Sequence, residues 1–420
     1  MKYGVLVVTP VSSEKDRSFV NLGDMIQTEA ILYVYERMGI KREDVIRIDI
    51  NELNHYNGEY LILPININLS LNWIIDVFPL PERIIPVFLG LSYFAAQEFP
   101  QKLKDYFRRY EPIGCRDEFT LEVMRKNQIE AYLFGCITAV LPQRSANMEG
   151  NKVFFVDVPR SFIDFSKDYF EMVNEHVEVI SHIRNGIEFY DSTYIEKETQ
   201  DLLERYKKEA KLVVTSRLHC MSPCMAMGIS VIPVTDNISP RMGWVDRYLN
   251  IYTPETYERI EWKGQKVSYE TIKEKMIQVA IGRIDNVKEK YEKIADLSFF
   301  YETREKSSYG NYYRNILKKM PDERKETLEY ILWGAGQIGM NAYRVISSAY
   351  PNSKLKAVVD SYCTGDFFGV PIEKPDILKG STKEYIFITT TSGELCAREM
   401  MDKLGKEEVR DYLSMATTSG

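Results

Sequence analysis

The chain has 420 residues, too many for one ordinary hydrophobic core, so two or three domains are expected. Its 45% apolar and 27% charged residues describe a soluble globular protein, and 54 Lys plus Arg against 61 Asp plus Glu exclude nucleic acid as the main partner. No apolar run approaches the ~20 residues that span a bilayer, and the short run before Pro10 reads as a first strand and not a signal peptide, so a cytoplasmic protein is expected.

Residues 5–8 read as the first strand and 10–20 as a long polar loop. Asn21 opens a helix to about residue 38, with Ile26, Ala30 and Val34 on one stripe and Gly39 as its stop. Residues 45–48 form the next strand, so Gly23 and Asp24 sit at a helix N-terminus on the ligand side of a strand-helix-strand unit. Asn21 and Asp24 suit capping and ligand binding equally well. Strand patterns follow at 60–63, 84–89 and 131–134, with helical patterns at 72–78, 97–109 and 118–127, which closes an alternating domain over residues 1–145. Arg116 and Asp117 precede the last of these helices. Asp117 is explained as a dipole partner, whereas an Arg before a helix start gains little structurally and is therefore a candidate ligand contact.

A polar linker at 141–152 leads to a second alternating domain over 150–320, with strands at 153–156, 177–181, 212–215 and 231–234. Residues 268–297 read as helical, and the tyrosine-rich piece 299–313 fits no element. Roughly sixteen residues join the last two strands, enough for a crossover helix, so these strands should be parallel. Ser216 would cap that helix and place Arg217, Leu218 and His219 in its first turn, an arrangement that favours an anion. Residues two apart on a helix are rotated by roughly 200°, so Arg217 and His219 reach one ligand only by straddling the strand-to-helix turn. Pro223 has no amide for the carbonyl of His219, which predicts an irregular first turn. The six cysteines contain no CxxC pair. Cys220 and Cys224 beside His219 have metal-like spacing, but His55, His176 and His182 are paired with no Cys, so packing thiols and no metal are expected.

Residues 326–420 form a third unit. A strand from Tyr330 runs into Gly334-x-Gly336-x-x-Gly339, then a helix, then a strand ending in Asp360, the context of a dinucleotide fingerprint. About 95 residues make only half of such a fold. A nucleotide or sugar nucleotide is the candidate ligand of Gly334, Gly336, Gly339 and Asp360; the plain alternative is glycines that let helix and strand pack closely.

Thr215-Ser216-Arg217-Leu218-His219, with Pro223, Cys224 and Gly228, resembles the signature of the polysaccharide pyruvyl transferase family. Asn21-Leu22-Gly23-Asp24 resembles its N-terminal Gly-Asp loop, and Cys115-Arg116-Asp117-Glu118 its Arg-Asp-Glu element. Gly135-Cys136-Ile137-Thr138 and Val156-Asp157-Val158-Pro159 resemble segments of one branch, and the likeness covers roughly residues 1–260. Gly135-Cys136 departs from the Asp that many members carry before the linker.

The resemblance implies an α/β protein with two facing Rossmann-like domains in the glycosyltransferase-B arrangement, joined here to a small C-terminal Rossmann-like domain. It implies transfer of pyruvate from phosphoenolpyruvate to sugar hydroxyls as a cyclic ketal, with no required cofactor. Arg217 and His219 would be catalytic; Asn21, Gly23, Asp24, Arg116 and Ser216 would bind substrate. The acceptor would be a sugar or lipid-linked saccharide, compatible with peripheral contact with a membrane-bound acceptor. Two alternatives stay open: a glycosyltransferase whose Arg217 holds a nucleotide diphosphate, and a non-catalytic sugar-binding protein of the same pathway. The acceptor sugar and the oligomeric state are not readable from these residues.

Overall fold

A computed structural model describes residues 2–10, 19–69, 77–93, 99–173, 175–286, 308–380, 383–390 and 393–415. The chain forms two compact units, Met1–Tyr93 with Gln101–Arg304, and Phe94–Pro100 with Glu305–Gly420. The helix expected at 72–78 and the segment 299–307 lie wholly or largely outside the described residues, as does the far end of the expected helix 268–297.

The first unit holds two parallel sheets. The strands of its first half are β1 (Lys2–Val7), β2 (Phe19–Asn21), β3 (Val45–Asp49), β4 (Leu61–Ile65), β5 (Asn68–Leu69), β6 (Ile84–Tyr93), β7 (Ile113–Cys115) and β8 (Ala131–Leu133). Those of its second half are β9 (Lys152–Val156), β10 (Val177–Ile180), β11 (Ile183–Asn185), β12 (Ala210–Thr215) and β13 (Ser230–Pro233). The first sheet runs β3-β1-β4-β6-β7-β8 with β5 beside β6, and the second runs β10-β9-β12-β13. Every pairing within them is parallel, as strands joined by helical crossovers require. In β12, Leu212, Val213 and Val214 are buried, as a central parallel strand covered on both faces demands.

The helix Leu22–Arg37 is the centrepiece. The expected stripe of Ile26, Ala30 and Val34 is buried, but so are Leu22, Met25, Gln27, Thr28, Ile31, Leu32 and Tyr35. The helix is apolar nearly all round because it packs on β1 on one side and on the helices Ser192–Glu209 and Leu218–Ala226 on others. Truncating one of its fully buried aliphatic side chains, such as Ile31, would cost about 2–5 kcal/mol. The helix therefore holds its first turn rigidly between the two sheets.

One connection has no counterpart in the sequence reading. β2 and β11 pair antiparallel, Ile183 opposite Asn21 and Asn185 opposite Phe19, and the Leu22 amide donates to the His182 carbonyl at 2.9 Å. This three-residue ribbon ties the start of the central helix to the loop that follows β10.

The second unit is a smaller α/β sheet. Its strands β14 (Glu329–Trp333), β15 (Lys354–Val359), β16 (Asp366–Phe367), β17 (Val370–Glu373), β18 (Tyr385–Ile388) and β19 (Tyr412–Ser414) run in the order β16-β17-β15-β14-β18-β19, antiparallel only between β16 and β17. Ile331, Trp333, Val359, Ile386, Ile388, Ala397 and Met401 form its core, with the helix Glu394–Lys403 supplying the last two.

Candidate functional site

The site is built from residues that follow the carboxyl ends of parallel strands in both sheets of the first unit, where open α/β sheets bind ligands. After β12, Thr215 donates its hydroxyl to the Val156 carbonyl and accepts the Arg217 amide at 3.0 Å. The Ser216 hydroxyl donates to the Asp157 carbonyl, so Ser216 is not the helix cap. That position falls to Arg217, which makes no side-chain capping bond. The expected cap fails because the neighbouring strand offers a carbonyl at the turn, and the hydroxyl is used to tie β12 to β9. The irregular first turn is present: His219 has φ −80° and ψ 18°, and Pro223 lies one turn on.

Arg217 donates from Nε to Asp157 Oδ2 at 3.0 Å, which holds the guanidinium toward the cavity described below. Burial alone would push the Asp157 carboxyl up. Bonds from the Ser181 hydroxyl and the His182 amide, with the Arg217 charge, outweigh it and hold the carboxyl below its ordinary range. Asp157 thus stays an anion and keeps Arg217 oriented.

From the first sheet, Asn21 caps the central helix by accepting the Gly23 amide at 3.1 Å, and Asp24 stands in its first turn with one carboxylate oxygen 3.6 Å from His219 Nδ1. Burial pushes the Asp24 carboxyl up, against the pull of Arg241, Arg116 and Arg217. Arg116 is fully buried and has more structural work than its sequence position suggested. Its guanidinium donates to the Gly90 carbonyl at 3.1 Å, to Gln27 Oε1 at 2.7 Å and to the Asn66 carbonyl. Its Nη1 also lies 3.5 Å from His219 Nε2.

His219 is held well below the usual histidine range, first by burial and then by the charges of Arg116, Arg241 and His182; a bond to the Gly23 backbone opposes them. With Nε2 facing an Arg donor and Nδ1 facing Gly23 and Asp24, the ring is a neutral imidazole protonated at Nδ1.

Two neighbouring cavities open among these residues. The first, about 210 Å³, is lined by Asn21, His182, Ser216, Arg217, His219 and Arg241, among others. The second, about 230 Å³, shares Asn21 and Arg241 and adds Asp24, Gln27, Thr28, Asn66 and Asn68. One wall set is cationic with two imidazoles; the other is rich in amides and carries a carboxylate. Arg241, His182, Gln27 and Asn66 had escaped the sequence reading. Arg241 lies in the loop after β13, and a loop at the carboxyl end of a parallel strand was the available signal.

Gly23 is a glycine for reasons of space. A Cβ there would lie 3.0 Å from Asn21 Oδ1, 3.0 Å from His219 Cβ and 3.4 Å from His182 Nδ1. Gly23→Ala is expected to displace His219 by a few tenths of an ångström, costing about 1–3 kcal/mol of stability and raising KM; denaturant titration beside steady-state kinetics measures both.

Gly135 has φ +90°, and a Cβ would fall 2.1 Å from Trp244 Nε1. Trp244 therefore leaves room at position 135 for glycine alone. In the second unit, a Cβ on Gly339 would meet the Gly334 carbonyl at 2.0 Å, a packing reason for that glycine, while Gly336 has open space in front of it. Asp360 accepts the Ala335, Tyr362 and Cys363 amides at 2.9, 2.8 and 2.8 Å, so both carboxylate oxygens already serve the loop. Among the described residues no group of three His, Cys, Asp or Glu could hold a metal ion, and no helix is long and apolar enough to cross a membrane. Cys220 and Cys224 are buried, and the Cys220 thiol points at the Tyr206 hydroxyl, 3.7 Å away.

The sequence model of the polysaccharide pyruvyl transferase family matches residues 21–237, a span that takes in Asn21, Gly23, Asp24, Arg116, Ser216, Arg217 and His219. Among solved structures, the chain is similar to a functionally uncharacterised protein of Klebsiella pneumoniae subsp. pneumoniae NTUH-K2044 at 14% identity. The match covers 56% of this chain and 83% of that one, with a TM-score of 0.31. No curated protein matches the chain.

Proposed function

Because the chain belongs to the polysaccharide pyruvyl transferase family, and so is a transferase that modifies polysaccharide, we propose that it moves pyruvate from phosphoenolpyruvate to two hydroxyls of a saccharide. The observation that carries this reading is the pair of adjoining cavities, one cationic and one amide-rich, sharing Asn21 and Arg241. Phosphoenolpyruvate brings a carboxylate and a phosphate and suits the first; sugar hydroxyls suit the second, where amide and carboxylate groups accept and donate.

The reaction joins both hydroxyl oxygens to C2 of the donor and breaks the bond from C2 to the phosphate oxygen. One hydroxyl proton ends on the methylene, which becomes a methyl group, and the other leaves with phosphate. Arg217, always charged and forked, anchors one anionic group of the donor, and Arg241 faces the other. His219 delivers the proton to the methylene and Asp24 receives one from the acceptor hydroxyl. Asp24, 3.6 Å from His219 Nδ1, faces the imidazolium that the acid step requires. Arg116 positions His219 from behind. Ser216 fixes the turn that presents Arg217.

The cationic cavity, about 210 Å³, suits a small anionic donor. In the second unit, the Asp360 carboxylate is occupied by the Ala335 amide of the glycine loop and by the Tyr362 and Cys363 amides, which supports a packing role there over nucleotide binding. Thiols unpaired among the described residues suit a reducing compartment such as the cytoplasm, with a free or lipid-linked acceptor. The test is incubation with phosphoenolpyruvate and candidate saccharides: phosphate release that depends on the saccharide supports the reading, and release with sugar nucleotides alone defeats it.

A pH signature follows. The acid is the protonated imidazole, so activity falls as pH rises through its pKa. In the free enzyme that pKa is low; a bound dianion nearby raises it. The descending limb of kcat should therefore lie at higher pH than that of kcat/KM, and coincident profiles would count against His219 as the acid.

A further inference from the structure

His182 follows β10 and is anchored on every side but one. Its amide donates to Asp157 Oδ2 at 2.9 Å and its carbonyl accepts the Leu22 amide at 2.9 Å. The ring is fully buried, with Nε2 2.9 Å from the Tyr206 hydroxyl, itself fully buried. Nδ1 is buried too and has no hydrogen-bond partner among the described residues. It faces the space that Gly23 leaves open, and His182 lines the 210 Å³ cavity with Arg217 and Arg241.

The state of the ring follows from its neighbours. The Cys220 thiol donates to the Tyr206 oxygen at 3.7 Å, which leaves the phenol proton for His182 Nε2. Nε2 then accepts, and the imidazole proton sits on Nδ1. In that tautomer Nδ1 is a donor, and an interior N–H without an acceptor is unfavourable unless a ligand supplies one.

We propose that His182 is a substrate-binding residue whose Nδ1–H donates to an oxygen of the anion held by Arg217 and Arg241, with Tyr206 fixing the tautomer that makes it a donor. The proposal rests on the anionic-donor reading of this cavity. It adds a directional contact to two charges: Arg217 and Arg241 attract an anion, and the buried imidazole selects where one carboxylate or phosphate oxygen stands.

The full-length chain tests it. His182→Gln places an amide near the Nε2 position and leaves no donor at Nδ1, whereas His182→Asn places one there. KM for phosphoenolpyruvate should rise about ten- to a hundredfold in His182→Gln, the range for a hydrogen bond to a charged group, and recover in part in His182→Asn. In the unmodified protein, nitrogen NMR of the imidazoles should show His182 protonated at Nδ1 and that signal moving when phosphoenolpyruvate is added. Phosphate and pyruvate added separately identify which end of the donor it meets. The inference is overturned if the protein binds phosphoenolpyruvate, Arg217→Ala loses it, and both His182 variants bind it as tightly as the parent. An Nδ1 signal indifferent to saturating anion overturns it without any variant. If the parent binds none of the three anions, the functional reading fails and takes this inference with it.

Discussion

His219→Gln is expected to lower kcat by about 10²–10⁴-fold, the range for removing a general acid, while the thermal unfolding midpoint moves by only a few degrees. Gln keeps most of the side-chain volume, and its amide can still donate toward the Gly23 backbone, the bond that supports the imidazole now. What it cannot do is carry a transferable proton. The competing view is a histidine kept for structure alone, buried and bonded at both nitrogens. That view predicts the opposite pattern, with a large fall in unfolding temperature and turnover lost only in proportion to the folded fraction. Phosphate release and a thermal scan on the same preparation separate the two. A variant that keeps its kcat, or one that unfolds at the assay temperature, would remove His219 from the acid role.

The strength of that expectation comes from neighbours that no local pattern shows. The strand-helix-strand units were legible because each carries its own signal: apolar runs such as 212–214 and 231–234, a crossover of suitable length, and the Asn21 cap. Arg217, His219, Gly23 and Asp24 were legible through helix starts at the carboxyl ends of strands. The ribbon of β2 and β11 was not, since three residues on each strand are too few to show a pattern and acquire a partner more than 160 positions away. His182 follows from that ribbon and was passed over with it. Arg241 reads as a loop residue; the short helical turn Pro240–Met242 beyond β13 carries it to the cavity. The all-round burial of Leu22–Arg37 was missed because a stripe seeks one face, whereas β1 and neighbouring helices cover this helix on several sides. Ser216 shows the converse: a good cap residue is outbid by a carbonyl on the next strand.

Arg116→Met is expected to destabilise the protein by about 3–5 kcal/mol, because three buried neutral acceptors lose their donor at about 1–3 kcal/mol each. The fall would be read as a lower denaturant midpoint with an unchanged slope. The guanidinium is buried to 1% exposure, and its loss strands the carbonyls of Gly90 and Asn66 and the Gln27 side chain. Met restores most of the volume, so a cavity accounts for little of the effect. Arg116→Lys separates geometry from charge: one ammonium group does not reach three acceptors in the plane of a guanidinium, so it should lose much of the same stability while keeping the positive charge beside His219. Burial and Arg116 are the two largest forces holding the imidazole low. Removing the charge in Arg116→Met should let the imidazole pKa rise, so the descending limb of kcat/KM moves to higher pH; in Arg116→Lys it should stay near its original place. A limb that shifts equally in both variants would mean that packing, and not the charge of Arg116, sets the protonation of His219. A limb that shifts in neither would leave burial as the cause.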